Sequence, residues 1–163
     1  LLARGHRRIG FINNFDPVPA TLARLEGYKQ ALAAQGLPFD DRLVVEGESL
    51  ARGGHDCALG LMQRPERPTA LFCFNDRMAM GAYAALRKLG LSIPNDVAVV
   101  GFDNQEIIAA QLYPALTTMD LPHYQTGQWA IGELLRLIAH GEPADAPPVQ
   151  HQIACPLIER DSV

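Results

Sequence analysis

Polar side chains follow three apolar runs of this sequence, at points where a strand would end. Asn13, Asn75 and Asp103 each come directly after such a run, and Arg24 lies where a helix should follow the first one. Amide, carboxylate and guanidinium groups together donate and accept hydrogen bonds, as the hydroxyl groups of a sugar require. These four side chains therefore predict a binding site for a small hydroxylated molecule.

Phenylalanines adjoin these polar groups and would suit the same ligand. They are Phe15, Phe74 and Phe102. Their rings could cover the apolar faces of a sugar, since small-molecule pockets combine apolar walls with a few polar groups. A simpler explanation stays open at each position. Asn75 or Asp76 could cap the next helix. Asp103 could cap a helix or turn the chain, and Phe15 could be a solvent-exposed loop residue.

The positions of these residues depend on an alternation of strands and helices. Short apolar runs predict strands at 9–12, 43–45, 69–74 and 97–101. Apolar residues recur at helical spacing at 22–33, 57–62 and 78–89, and Gly36 and Gly90 mark expected helix ends. Such strands alternating with helices predict an α/β fold, a parallel sheet flanked by helices on both faces. Ligands bind such sheets beyond the carboxyl ends of the strands.

The sequence changes in texture beyond Pro122. Residues 125–139 predict one more helix, and its apolar side comprises Trp129, Leu134, Leu135 and Ile138. A loop rich in proline and alanine at 143–148 then leads to a last predicted strand at 149–155, which Pro156 interrupts. The helix and this strand are thus separated from the earlier alternation of elements.

Composition and charge argue against several classes of function. The 163 residues correspond to about one domain, and a formal net charge of -4 leaves no basic surface for nucleic acid. The three cysteines lack the spacing of a zinc ribbon and are typical of a reducing, cytoplasmic compartment. No apolar run is long enough to span a membrane. No motif of a catalytic or phosphate-binding site appears, so we expect no enzyme, cofactor or metal.

Five blocks of the sequence carry a resemblance to a known family. They read GHRRIGFI, ARLEGYKQAL, RPTALFCFNDRMAMGAYAALRKLGLSIPNDVAVVGFDN, YPALTTMDLPHYQTGQWAIGELL and PLIERDSV. Through them the chain resembles the LacI/GalR family of bacterial transcription regulators. The resemblance implies a periplasmic-binding-protein-like type I fold, in which two α/β subdomains enclose a ligand cleft. The family's helix-turn-helix DNA-binding domain has no counterpart in this sequence.

The resemblance also implies how the chain divides between the two subdomains. Residues 1–121 correspond to the C-terminal subdomain, which would be essentially complete. Residues 122–156 correspond to a crossover helix and strand of the N-terminal subdomain, present only in part. Residues 157–163 correspond to a return to the C-terminal subdomain. Elements of the partial subdomain would then lack their packing partners, so we expect lower stability or self-association.

Specific residues acquire expected roles from the same resemblance. Effector binding falls on Arg24, Asn75 and Asp103, with further candidates at Asn13, Phe15 and His123. Dimer contacts fall on Met80, Tyr83, Leu112 and Tyr113. For Met80 and Tyr83, packing in the core of the chain explains the sequence equally well. His123 lies just after a position where many members of the family have glutamine and this chain has Leu121.

The expected function is therefore effector sensing. A small molecule, in the first place a sugar, would shift the population of two subdomain arrangements. Operator DNA would be bound only through the missing helix-turn-helix, in a homodimer that needs no membrane. The main alternative is a periplasmic sugar-binding protein of a transport or chemotaxis system, which shares the fold. An enzyme is a second alternative, with Asp76 and Asp103 as its only conceivable acid–base pair.

Overall fold

A six-stranded sheet with helices on both faces is formed by the residues that this computed structural model describes, 1–141 and 147–163. The strands are β1 (Ile9–Asn14), β2 (Val44–Gly47), β3 (Ala70–Cys73), β4 (Ala98–Asp103), β5 (Thr117–Asp120) and β6 (Leu157–Ile158). The helices are α1 (Pro19–Ala34), α2 (Ala51–Met62), α3 (Asp76–Lys88), α4 (Glu106–Ala109) and α5 (His123–His140), with short 3-10 turns at Leu2–Arg4 and Asp41–Leu43. The predicted α/β architecture is confirmed.

The strand order brings several carboxyl ends to one edge of the sheet. The order is β2-β1-β3-β4-β5-β6, and neighbouring strands from β2 to β5 run parallel. Strand β6 pairs antiparallel with β5, so the sheet is mixed where a purely parallel one was expected. Because β1 lies between β2 and β3, the connections leave in opposite directions around it, which creates the crevice where ligands bind in such folds.

Two layers of apolar side chains hold the helices to the sheet. On one face, α2 and α3 pack on the strands through fully buried residues such as Leu61, Leu71 and Met78. On the other face, the ring of Phe11 stacks on Tyr28 of α1 and on Phe72, at centroid distances of 5.4 and 4.7 Å. The Tyr28 hydroxyl donates a hydrogen bond to the carbonyl of Ile9 (2.8 Å), which fastens α1 to β1.

Helix ends follow the predicted signals. Helix α1 ends just before Gly36, which has φ 66°, and α3 ends just before Gly90, which has φ 70°. Glycine adopts this left-handed conformation without the penalty that a side chain imposes. Both glycines therefore turn the chain back toward its next strand.

The predicted strand at 149–155 is wrong. Residues 147–156 have no regular structure, and only Leu157–Ile158 pair with β5. Pro147, Pro148 and Pro156 lack a donor for a strand ladder, and no strand of the described residues lies beside 149–155. Of the predicted loop at 143–148, residues 143–146 lie outside the described part of the chain.

Helix α5 forms as predicted but is not covered. It has no buried residue, and Leu134, Leu135 and Ile138 of its apolar side are between 51% and 72% exposed. The ring of Trp129 instead stacks on His151 of the following segment, at 5.2 Å. Within the described residues, no helix is long and apolar enough to cross a membrane.

Candidate functional site

Arg24 is the central side chain of the polar edge. One guanidinium nitrogen, Nη1, donates a hydrogen bond to the carbonyl oxygen of Phe74 (2.8 Å). The guanidinium carbon lies 4.2 Å from the ring centroid of Phe74 and 3.8 Å from that of Phe102. Stacking against two aromatic faces suits a planar guanidinium. The geometry fixes the direction in which Arg24 presents its remaining donors.

Asp103 faces Arg24 across a short gap. Its Oδ1 lies 3.7 Å from Nη2 of Arg24, and both side chains are mostly buried, with 15% and 13% of their surface exposed. This separation exceeds that of a direct hydrogen bond, so a ligand hydroxyl can bond to both groups. Burial raises the pKa of Asp103 and lowers the pKa of Arg24, whereas their mutual attraction opposes both shifts.

The backbone at the end of β4 is unusual. Asp103 has φ 113° and Asn104 has φ 52°, both in the region that favours glycine. Each such residue costs about 1–3 kcal/mol and persists only where its surroundings enforce it. Gln105 Nε2 donates to Asp103 Oδ2 (3.2 Å), and Asn104 Nδ2 donates to Asp120 Oδ1 (2.9 Å). Strain of this kind is concentrated at ligand-binding sites.

Two asparagines at the end of β1 bring unpaired acceptors to the same edge. Asn13 is fully buried and Asn14 is 4% exposed, yet the Oδ1 atom of each lacks a hydrogen-bond partner among the described residues. The amide of Asn13 only reaches the carbonyl of Thr21, at 3.4 Å. A buried acceptor without a partner costs about 1–3 kcal/mol. A ligand with hydroxyl donors would remove that cost, and an effector contact from Asn13 stays a prediction.

Asn75 has the capping role that was the simpler explanation. Its Oδ1 accepts a hydrogen bond from the backbone N–H of Met78 (2.8 Å), and its Nδ2 donates to the carbonyl of Ser49 (3.1 Å). The side chain is 4% exposed. Both polar ends thus serve the start of α3 and its contact with the preceding loop. A direct effector contact from Asn75 stays a prediction.

Phe15 and His123 lie at the rim. Phe15 is 54% exposed, directly after β1, and its backbone N–H donates to the carbonyl of Gly47 (3.1 Å). His123 is exposed at the first position of α5. An effector contact from either residue stays a prediction.

Asp76 has a larger role than the capping considered for it. The carboxylate is fully buried, accepts a hydrogen bond from Thr118 Oγ1 (2.6 Å) and another from the N–H of Gln105 (2.8 Å). Burial is the main cause that raises its pKa. Asp76 therefore ties α3 to β5 and to the loop after β4.

Sequence reasoning missed Arg160 in the tail. Arg160 Nη2 donates to Asn104 Oδ1 (2.8 Å), and Nη1 donates to the carbonyl of Leu116 (2.8 Å). The Glu-Arg pair of the PLIERDSV block was noted only as part of a resemblance, and its distance in sequence from β4 hid this contact.

The residues expected at a dimer interface divide into two groups. Tyr113 is 89% exposed and Met80 is 37% exposed, whereas Leu112 is partly buried and packs against the hydrophobic core. Ile107 of α4 is 84% exposed, which adds another apolar side chain. Tyr83 is only 5% exposed, and its hydroxyl donates to the carbonyl of Pro114 (3.1 Å). Tyr83 is thus a core residue that supports the Tyr113-Pro114 turn from beneath.

A mostly apolar groove of about 960 Å³ lies beside α1. Its wall includes Phe72, Val100 and Met119, and it meets the polar edge at Arg24 and Phe102. Glu159 and Arg160 also line it, so the groove is continuous with the polar edge. Within the described residues, no group of three or more histidine, cysteine or acidic side chains could hold a metal ion.

Comparisons with known proteins agree with this architecture. The family model of the periplasmic binding protein-like domain matches residues 1–163. The ribose operon repressor of Escherichia coli (strain K12) is 41% identical over 139 residues, which are 85% of this chain and 42% of that repressor. The chain thus spans less than half the length of that relative.

Solved structures of regulators superpose closely. The Escherichia coli transcriptional repressor ascG gives a TM-score of 0.89 at 33% identity, covering 99% of this chain and 57% of that one. The transcriptional regulator CelR in complex with cellobiose gives 0.91 at 31% identity, covering 100% and 49%. Both of these structures are of transcriptional regulators, and the match to the family model shows that this chain belongs to the periplasmic binding protein-like family.

Proposed function

We propose that this chain is the sugar-sensing part of a LacI-type transcriptional repressor. The observation that carries the proposal is the pair Arg24 and Asp103, 3.7 Å apart, with the Arg24 guanidinium lying over the rings of Phe74 and Phe102. The buried Oδ1 atoms of Asn13 and Asn14, which have no partner in the part of the chain that the structure describes, add acceptors at the same edge. Charge-assisted hydrogen bonds to hydroxyl groups are stronger than neutral ones. Relatives named for ribose, or solved with cellobiose, support a sugar as the ligand.

A division of the chain into two subdomains would let a ligand at this site change their arrangement. We propose that 1–121 and 157–163 form one subdomain and that α5 and the following segment belong to a second. Helix α5 starts three residues after β5, and the last residue of β5, Asp120, lies opposite Asp103 of β4 in the sheet. A ligand at Asp103 would therefore contact both parts and favour one arrangement of them. Operator binding would reside in another part of the whole repressor.

The competing functions are less well supported. A periplasmic sugar-binding protein of a transport system would share the fold, but the matched relatives described above are named as transcriptional repressors. An enzyme would need a positioned acid, base or nucleophile. Asp76, the one partner conceivable for Asp103, is fully buried and bonded to Thr118 and Gln105. We therefore propose a binding role without catalysis or a cofactor.

A sugar panel tests the proposed function. We expect one sugar, with D-ribose and cellobiose tested first, to raise the melting temperature of this chain. A ligand at 100 times its Kd adds about 2.7 kcal/mol to the free energy of unfolding by mass action. The Arg24→Ala variant should lose that rise. A panel without any rise, or a rise that Arg24→Ala retains, would contradict the proposal.

We also propose that the chain forms a homodimer through the surface around Tyr113. Exposed apolar side chains that adjoin each other mark association sites, and Tyr113, Met80 and Ile107 combine exposure with apolar character. Replacement of Tyr113 by glutamate should shift the chain from dimer to monomer in sedimentation velocity. Tyr124→Glu, at a 74% exposed position of α5, serves as the matched control. A wild-type monomer, or a dimer unaffected by Tyr113→Glu, would contradict this interface.

A further inference from the structure

The C-terminal tail returns to the sheet and fastens itself to β4 and β5. The Ser162 hydroxyl donates to the carbonyl of Val99 (2.6 Å) and accepts from the N–H of Thr117 (2.8 Å). The N–H of Arg160 donates to Thr117 Oγ1 (2.9 Å). Ser162 is fully buried and Thr117 is 2% exposed. These hydrogen bonds therefore fix the backbone of Arg160 independently of the contacts of its side chain.

The Arg160 side chain reaches from this anchor to the strained end of β4. One nitrogen of its guanidinium donates to the carbonyl of Leu116, and the other donates to Asn104 Oδ1, both at 2.8 Å. Asn104 in turn donates to Asp120 Oδ1 (2.9 Å). Asn104 is thus bracketed from both sides, by Arg160 and by Asp120. Its left-handed backbone, with φ 52°, is the conformation that these two bonds select.

Asp103 depends on the same contacts. It precedes Asn104 and has φ 113°, a value that a non-glycine residue holds only under constraint. The N–H of the next residue along, Gln105, is bonded to buried Asp76 (2.8 Å). If Asn104 leaves the left-handed region, the chain between β4 and Gln105 must take another path. The Asp103 carboxylate would then lose its position opposite Arg24.

We propose that Arg160 is a positioning residue for the effector site: from the C-terminal tail, it holds Asn104 and thereby aims Asp103 at the ligand. The inference rests on the proposed sugar-binding function and adds a residue to that site. Arg160 itself touches no ligand. The tail directly follows the segment that we assign to the second subdomain. The contact of Arg160 with Asn104 therefore also links that segment to the effector site.

Four forms of the chain test the role of Arg160 by NMR. They are the wild type, Arg160→Gln, Arg160→Gln combined with Asn104→Gly, and Arg52→Gln as a control at an 89% exposed arginine. The first readout is the amide-to-Hα distance within Asp103, which is short at positive φ and needs no ligand. Glycine adopts positive φ without help, so Asn104→Gly should make Arg160 dispensable for the backbone.

We expect the short distance in the wild type and in Arg52→Gln, its loss in Arg160→Gln, and its return in the double variant. Affinity for D-ribose, measured by calorimetry, should fall about tenfold in Arg160→Gln and recover in the double variant. Arg160→Lys, which keeps the charge without the forked geometry, replaces Arg160→Gln if that variant unfolds.

The proposal would be overturned if the amide-to-Hα distance of Asp103 stayed short in Arg160→Gln. It would also be overturned if Asn104→Gly did not restore the short distance in the double variant. Absence of D-ribose binding to the wild type would count against that sugar and leave the Asp103 distance to decide the positioning role. Failure of the proposed function and failure of this inference are therefore separate results.

Discussion

Replacement of Gly81 by alanine is expected to lower the free energy of unfolding by about 3 kcal/mol or more. Helices α2 and α3 approach each other backbone to backbone, and a Cβ at Gly81 would overlap the carbonyl oxygen of Ala51 and crowd the N–H of His55. Gly54 meets the backbone of Met78 in the same way. Because backbone atoms have no rotamer to change, the helices would have to separate.

Chemical denaturation of Gly81→Ala checks this expectation. The matched control is Gly60→Ala in α2, where an added Cβ meets nothing within 4 Å. Alanine is the better helix former, so the control should be more stable than the wild type by about 0.5–1 kcal/mol. Equal denaturation midpoints for Gly81→Ala and the wild type would show that α2 and α3 are not packed this closely.

Replacement of Asp103 by asparagine is expected to weaken sugar binding at least about 100-fold, or about 2.7 kcal/mol. The substitution keeps the shape of the side chain but removes the charge opposite Arg24, 3.7 Å away. Arg24 would then remain mostly buried, with only 13% of its side-chain surface exposed, and would face a neutral group. A ligand hydroxyl would lose its charged acceptor as well.

Calorimetric titration with the sugar identified in the panel measures this loss. Asp56→Asn provides the control, because Asp56 is a 63% exposed carboxylate on α2, away from the edge of the sheet. It should bind the sugar as the wild type does. Unchanged affinity in Asp103→Asn would remove Asp103 from the site and leave Arg24 without its proposed partner.

The sequence predicts well those elements that bury a continuous apolar run. Strands β1, β3 and β4 are such runs, and the helices between them carry apolar residues at helical spacing. Ligands bind parallel sheets beyond the carboxyl ends of the strands. This rule predicts the edge of the sheet at which Arg24 lies near Asp103. This proximity needed no likeness to any known protein, only the order of strands and helices.

The elements that sequence reasoning missed are stabilised by distant polar partners. Strand β5 contains Thr117 and Thr118, which look unlike a core strand, and yet both are buried. Their hydroxyls are satisfied by Arg160 and Asp76, which are 43 and 42 residues away in sequence. Such pairings arise only from the fold, so local patterns carry no signal for them.

The predicted strand at 149–155 does not form for a related reason, the lack of a partner strand among the described residues. Its residues have the composition of a strand but meet no neighbouring strand among the described residues. A strand needs a partner for its backbone hydrogen bonds, and the sequence does not show whether one is present. Helix α5 satisfies its own backbone, which is why it forms although its apolar side is exposed.

The most direct test of the account is an NMR titration of this chain with the sugar that stabilises it. We expect the perturbed amides to cluster at the ends of β1, β3 and β4, around Asn13, Phe74 and Asp103, and the resonance of Arg24 to shift with them. Perturbations confined to the apolar groove beside α1, or an absence of perturbation by every sugar in the panel, would contradict the claim that this edge senses a sugar.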